Sequence, residues 1–134
     1  MDNLKDIRWR QRFENFKRAY KQLEAVLKED TAHNPLFRAA LIQTFEFLFE
    51  LSWKTMNDKL ESEGFVLKNP RDTIQQAFQS GYLSDGKVWV AAMATRNELS
   101  HMYDEKLNIK AEEQIRSLYA PLFRSLNDYF TKQL

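Results

Sequence analysis

Residues 9 to 27 read "WRQRFENFKRAYKQLEAVL", and the large apolar residues fall at Trp9, Phe13, Phe16, Tyr20, Leu23 and Leu27. The steps between them alternate four and three. At about 100° per residue this keeps all six on one stripe of an α-helix and leaves the charged residues to the other side. The spacing predicts a long helix ending near Lys28. The next stretch, "EDTAHNP" (29–35), breaks the pattern, and Pro35 suits a first helical turn, where no backbone N–H is missed. A second helix is expected from there to about Ser62. Its segment "TFEFLFELSW" (44–53) is apolar on two sides, which places it at the centre of the fold, and Gly64 is its expected C-cap.

The remaining segments read the same way. In "NPRDTIQQAFQSG" (69–81), Asn69 is an N-cap, Pro70 a first-turn residue and Gly81 a stop, which makes a short third helix. "LSDGK" (83–87) offers Ser84 or Asp85 to cap a fourth helix. After an expected linker, "DEKLN" (104–108), a last helix is marked by Ile109, Ile115, Leu118, Leu122, Leu126 and Tyr129. The expected fold is all-α, an up-and-down bundle of four long helices and one short one, forming a single domain over residues 1–134.

Composition agrees. With 3 glycines and 3 prolines in 134 residues, tight hairpins have few sites, and 43% hydrophobic with 29% charged residues is ordinary globular usage. The beginning "MDNLKDIRWRQR" is charged from its second residue and no apolar run reaches about 18 residues, so neither secretion nor a membrane partner is expected. The absence of cysteine excludes disulfides and thiolate chemistry and fits a cytoplasmic protein. A net charge of +1 hides eight basic residues against three acidic ones between Lys5 and Lys28, read here as a solvated helix face.

The polar content is concentrated in "RNELSHMY" (96–103), directly after the apolar run "VWVAAMA". On the fourth helix Val88, Ala92, Thr95, Leu99 and Met102 form the expected core face. Trp89, Met93, Arg96, Ser100 and Tyr103 form a second stripe, with Asn97 and His101 about 100° to 140° from Arg96. A single bundle needs only the first stripe, so the second implies a homodimer. Arg96 and His101 are five apart and do not share a face of a regular helix; they converge if the helix ends between them or two subunits contribute.

Such a set suits metal-free RNA cleavage. That reaction needs a base for the 2′-OH proton, an acid for the leaving 5′ oxygen and a fixed cation for the charged phosphorane. Histidine titrates near neutrality, and the arginine fork matches two phosphate oxygens. Asn97 and Ser100 are candidates to position a phosphate or the imidazole, and Tyr103 offers a hydroxyl and a stacking face.

Arg96-Asn97-x-x-x-His101-x-Tyr103 resembles the R-x4-6-H signature of HEPN domains, in the form found in HEPN/minimal-nucleotidyltransferase toxin–antitoxin systems. "FEFLFELSWK" (45–54) and "NPRDTIQQAF" (69–78) are similar to that subfamily's second helix and following short helix. The resemblance implies an endoribonuclease toxin that dimerises around the motif and acts on RNA through Arg96 and His101, with no cofactor. It also implies a cognate minimal nucleotidyltransferase that silences the toxin by adding AMP to Tyr103. A second reading keeps the same residues in a non-catalytic subunit that presents a nucleotide, or itself, to a nucleotidyltransferase.

Two carboxylate features compete. Glu98-x-x-His101 has the spacing of carboxylate-bridged metal sites, and Glu46 and Glu50 share a helix face. Glu98, however, points away from the core stripe, so no metal is assigned; Glu46 and Glu50 are expected to partner a basic side chain, Arg96 being the candidate. His33 is expected to be a loop or capping residue.

Overall fold

The computed structural model describes residues 3–101 and 104–134. It comprises α1 (Asn3–Leu27), α2 (Pro35–Ser62), α3 (Pro70–Gln79), α4 (Gly86–His101), α5 (Glu105–Gln114), a π-helical turn (Ile115–Tyr119) and α6 (Ala120–Gln133). The last three run on without a break, so the bundle has four long rods and one short one, as the spacing predicts.

The apolar stripe of α1 is its buried face: Trp9, Phe13, Phe16, Tyr20 and Leu23 are all in the core. Phe130 of α6 closes on Trp9 and Phe13 with ring centroids 5.6 and 5.5 Å away. The central helix is α2, which buries Leu41, Phe45, Leu48, Phe49, Ser52, Thr55 and Met56 on more than one side. Asn34 caps it by accepting the Leu36 N–H at 3.0 Å. At the other end Gly64 takes φ = 99°, where any Cβ would be strained, and the Phe65 N–H reaches back to the Leu60 carbonyl at 3.0 Å. Asn69 caps α3 through the Asp72 N–H, and Asp85, rather than Ser84, caps α4 through the Val88 N–H.

Three expectations need correction. Residues 104–108 are not a linker: Asp104 caps α5 by accepting the Lys106 N–H at 3.0 Å, and "EKLN" forms its first turn. The final helix does not keep one register, because the π-helical turn holds one residue more per turn than an α-helix. Leu118 faces outward, 46% exposed, while Tyr119 is buried; Ile109, in α5 ahead of the turn and six residues from Ile115, is also off the buried face and 40% exposed. Most consequentially, Trp89 and Met93 are buried within one chain. Trp89 lies 6.2 Å from Phe49 and 5.5 Å, edge-on, from Phe123, so α2 and α6 fill both flanks of α4.

A largely buried ion cluster joins α5 and the π-helical turn to the α1–α2 loop and the start of α2. Glu112 of α5, 7% exposed, accepts from the Thr31 hydroxyl, from Arg38 Nε at 2.9 Å and from Arg116 Nε at 3.2 Å. Arg116 also donates to the Leu27 carbonyl and Arg38 to the Ala32 carbonyl, so the α1–α2 loop is tied to α5. Burial by itself raises the Glu112 pKa, but the bonds from Thr31, Arg38 and Arg116 outweigh it and hold the carboxyl below its ordinary value. A folded-state pKa below the unfolded one stabilises the fold above the unfolded value and stops doing so as pH falls through the folded one. Glu112→Gln, which leaves two guanidiniums short of a counter-charge, is expected to cost about 3 kcal/mol at pH 7. Thermal melts of both proteins should converge as the pH drops below about 4; a gap that stays constant on acidification would remove the charge from the explanation.

Candidate functional site

The site is built on the last two turns of α4. Thr95 is buried and shares a hydrogen bond of 2.8 Å with the Tyr119 hydroxyl, and the Tyr119 ring stacks on Phe45 at 5.5 Å and 18°. Tyr119, at the end of the π-helical turn, thus fixes the roll of α4 one position before the motif begins.

With Thr95 turned inward, Arg96 points along the groove toward α2, its side chain 29% exposed. Its Nη1 donates to Ser100 Oγ at 3.1 Å, and its Nη2 stands 3.7 Å from Glu50 Oε2. Glu50 is itself held by Trp53 Nε1 at 3.1 Å. The Ser100 hydroxyl has one proton and two acceptors in reach, Glu46 Oε2 at 3.2 Å and the Arg96 carbonyl at 3.1 Å. The expectation that a basic side chain partners these glutamates is met for Glu50, which pairs with Arg96; Glu46 meets the Ser100 hydroxyl instead of a cation. At 3.7 Å the Glu50 contact is an ion pair without a hydrogen bond, and Arg96 Nε is buried without a partner among the described residues. The guanidinium is placed, yet its donors are not saturated.

Asn97 and His101 are exposed on the outer side of α4. Because α4 stays helical through His101, Arg96 and His101 do not share a face within one chain, as their spacing predicts; His101 stands at the helix end. Tyr103, and Met102 of the expected core face, lie outside the described residues. Glu98 is exposed, and among the described residues no three His, Cys, Asp or Glu side chains are grouped to hold a metal ion. His33 accepts no site role: its backbone N–H and its ring both meet Asp30 in the α1–α2 loop. On α1, Arg8 pairs with Glu61, Arg10 with Asp6, Arg12 with Asp58 and Lys17 with Glu14, so four of the eight basic residues are paired, Arg8 and Arg12 with carboxylates of α2. No helix among the described residues is long and apolar enough to cross a membrane.

Two supports were missed in the sequence. Trp53 sits three residues from Glu50, a visible indole–carboxylate spacing, and Tyr119 falls four residues after Ile115 and three before Leu122 on the buried stripe, a spacing that offered it as well.

The chain as a whole resembles known proteins. The chain is 33% identical over 82 residues to a Haemophilus influenzae protein named "Probable ribonuclease HepT"; the match takes in 58% of this chain and 56% of that one, so it spans little more than half of the relative's length. The crystal structure of ttk003001694 from Thermus thermophilus superposes with a TM-score of 0.75 at 27% identity, over 83% of this chain and 94% of that one. HI0074 of Haemophilus influenzae, solved as the fold of a substrate-binding domain of a nucleotidyltransferase, superposes over 96% of this chain and 98% of its own with a TM-score of 0.64; at 23% identity it speaks for the fold. The profile described as "Nucleotidyltransferase substrate binding protein like" matches residues 11–132, nearly the whole bundle, and the chain belongs to that family.

Proposed function

We propose that the protein is a metal-independent endoribonuclease, the toxin of a toxin–antitoxin pair, whose partner nucleotidyltransferase silences it by adding AMP to Tyr103. The observation that carries this reading is the state of Arg96: anchored between α2 and α4, partly exposed, with donors to spare, on the helix that ends in His101. The relative named a probable ribonuclease supports it.

In the proposed reaction the 2′-hydroxyl oxygen attacks the neighbouring phosphorus as its proton passes to a base. The bond from phosphorus to the 5′ oxygen breaks, and that oxygen takes a proton from an acid. The products are a 2′,3′-cyclic phosphate and a 5′-hydroxyl end. Histidine serves either proton transfer, and a homodimer with a twofold axis at the motif supplies one imidazole for each. Arg96 stabilises the dianionic phosphorane, its loose contact with Glu50 yielding to phosphate oxygens. Asn97 and Ser100 position the phosphate. The dimer seam is assigned to Phe47, which is 57% exposed on α2 between Glu46 and Glu50, in place of the buried Trp89.

The purified protein is expected to cut RNA in excess EDTA and to leave 2′,3′-cyclic ends, read by end-group analysis. Intact RNA after incubation with a folded dimer would instead favour the non-catalytic subunit, a reading supported by the description of HI0074 as a nucleotidyltransferase's substrate-binding domain.

Tyr103 follows His101 by two residues, so its Cα lies at most about 7.6 Å away along the chain. AMP on its hydroxyl would bring a phosphate charge and a base to the cleft that RNA must enter, and would compete for Arg96. Tyr103→Phe is expected to keep its nuclease activity and to resist the partner with ATP, whereas the wild type gains AMP mass and stops cutting. Equal AMP mass on both, by intact-mass spectrometry, would put the modification elsewhere.

A further inference from the structure

Between α3 and the first turns of α4 lies an open cavity of about 620 Å³, a volume typical of small-ligand sites. Its floor is Ile74, Phe78 and Val90, and its rim carries Arg71 and Lys87. Phe78 is 50% exposed, and a Cβ at Gly86 would stand 3.3 Å from its ring, so a glycine there keeps the ring uncrowded. Arg71 and Lys87 are exposed and make no ion pair among the described residues. The acidic group of the lining, Asp85, is already engaged with the Val88 N–H as the cap of α4. A bare aromatic ring with two uncommitted cations beside it is what an unpaired nucleotide requires: a face for the base and charges for the phosphates.

The cavity also lies on the correct side of α4. Val90, Ala94, Asn97 and His101 are spaced four, three and four, so they fall on one side of the helix, and all but half-buried Val90 are exposed. His101 follows Val90 by eleven positions, about 16 Å along the axis, which a few nucleotides of extended strand can cover. We propose that the cavity is a subsite for an unpaired nucleotide of the RNA, its base on Phe78 and its phosphates on Arg71 and Lys87, a short distance along the strand from the bond cut at His101. The proposal rests on the ribonuclease reading and adds a determinant of which RNA is taken.

The experiment measures binding, so that it does not depend on catalysis. A fluorescent single-stranded 2′-O-methyl RNA octamer, which cannot be cleaved, is titrated by anisotropy into wild type, Phe78→Ala and Arg71→Ala/Lys87→Ala, with AMP as a competitor. Phe78→Ala is expected to weaken binding about tenfold through lost stacking. The double variant is expected to weaken it and to reduce the salt slope by roughly 1.4, because two phosphates are no longer neutralised. Both variants change exposed side chains, and melting curves check that they remain folded. Octamer affinity unchanged in both variants overturns the subsite, whatever the nuclease assay shows. AMP binding as tightly as the octamer assigns the cavity to a free nucleotide and overturns the strand reading. Loss of binding to the partner nucleotidyltransferase in the variants, with RNA binding intact, assigns the face to a protein and overturns the subsite too. Failure of the ribonuclease reading has its own signature, tight octamer binding that responds to Phe78→Ala alongside no cleavage of natural RNA.

Discussion

His101→Ala is expected to cut RNA at least about 10²-fold more slowly than wild type while remaining folded and dimeric. General acid–base catalysis contributes about 10² to 10⁴, and His101 is the imidazole at the motif: the other histidine, His33, is committed to Asp30 in the α1–α2 loop. The substitution is structurally mild because the side chain is exposed at the end of α4. Arg96→Ala makes a stricter comparison. Besides removing the cation proposed for the phosphorane, it leaves Glu50 with only its Trp53 bond and Ser100 without its donor, so a modest loss of stability should accompany the loss of rate. Arg96→Lys separates the two effects, since an ammonium keeps the charge but not the fork. Cleavage timed on one defined RNA in EDTA, with melting curves for each variant, is the measurement. His101→Ala cutting at the wild-type rate would remove the motif histidine from the chemistry.

Much of the fold was legible because helix signals are local. The four–three spacing of α1 needs no partner to be recognised, and Asn69 and Asp85 cap helices within three residues of themselves. Gly64 and Gly81 both sit at positive φ, where the sequence placed the stops. What escaped depends on distant residues. Glu112 reads as a surface charge until Thr31 and Arg38, about eighty residues earlier, fold over it. The π-helical turn adds a residue to one turn, and nothing in "IRSLY" announces it; Leu118 faces outward there and Tyr119 inward. The site is mixed in the same way. The pairing of Arg96 with Glu50 followed from side-chain chemistry, whereas the brace from Tyr119 to Thr95 joins residues 24 apart on different helices.

The second stripe of α4 is the instructive error, and it leads to the largest expected effect on folding. Trp89 and Met93 fall on a different side of α4 from Val88, Ala92 and Thr95, and helical geometry alone does not tell whether a second apolar side faces another subunit or another helix of the same chain. Here Phe49 of α2 and Phe123 of α6 enclose Trp89 to 2% exposure. Trp89→Glu therefore removes a large buried ring, worth about 3 to 5 kcal/mol when truncated, and puts in its place a carboxylate against the Phe49 and Phe123 rings. The sum rivals the roughly 5 to 15 kcal/mol that holds a typical domain together. The expected result is a chain without a cooperative melt, not a folded monomer. Phe47→Glu is the contrasting variant: its ring is 57% exposed, so the charge enters water and the helical signal and melting point should stay near wild type. If the seam runs across Phe47, that variant alone should sediment at half the mass of wild type, with cleavage lost because each active centre draws on two subunits. Circular dichroism and sedimentation on both variants make the test. A folded, monomeric Trp89→Glu would return that residue to an interface, and a fully active dimeric Phe47→Glu would move the seam off α2.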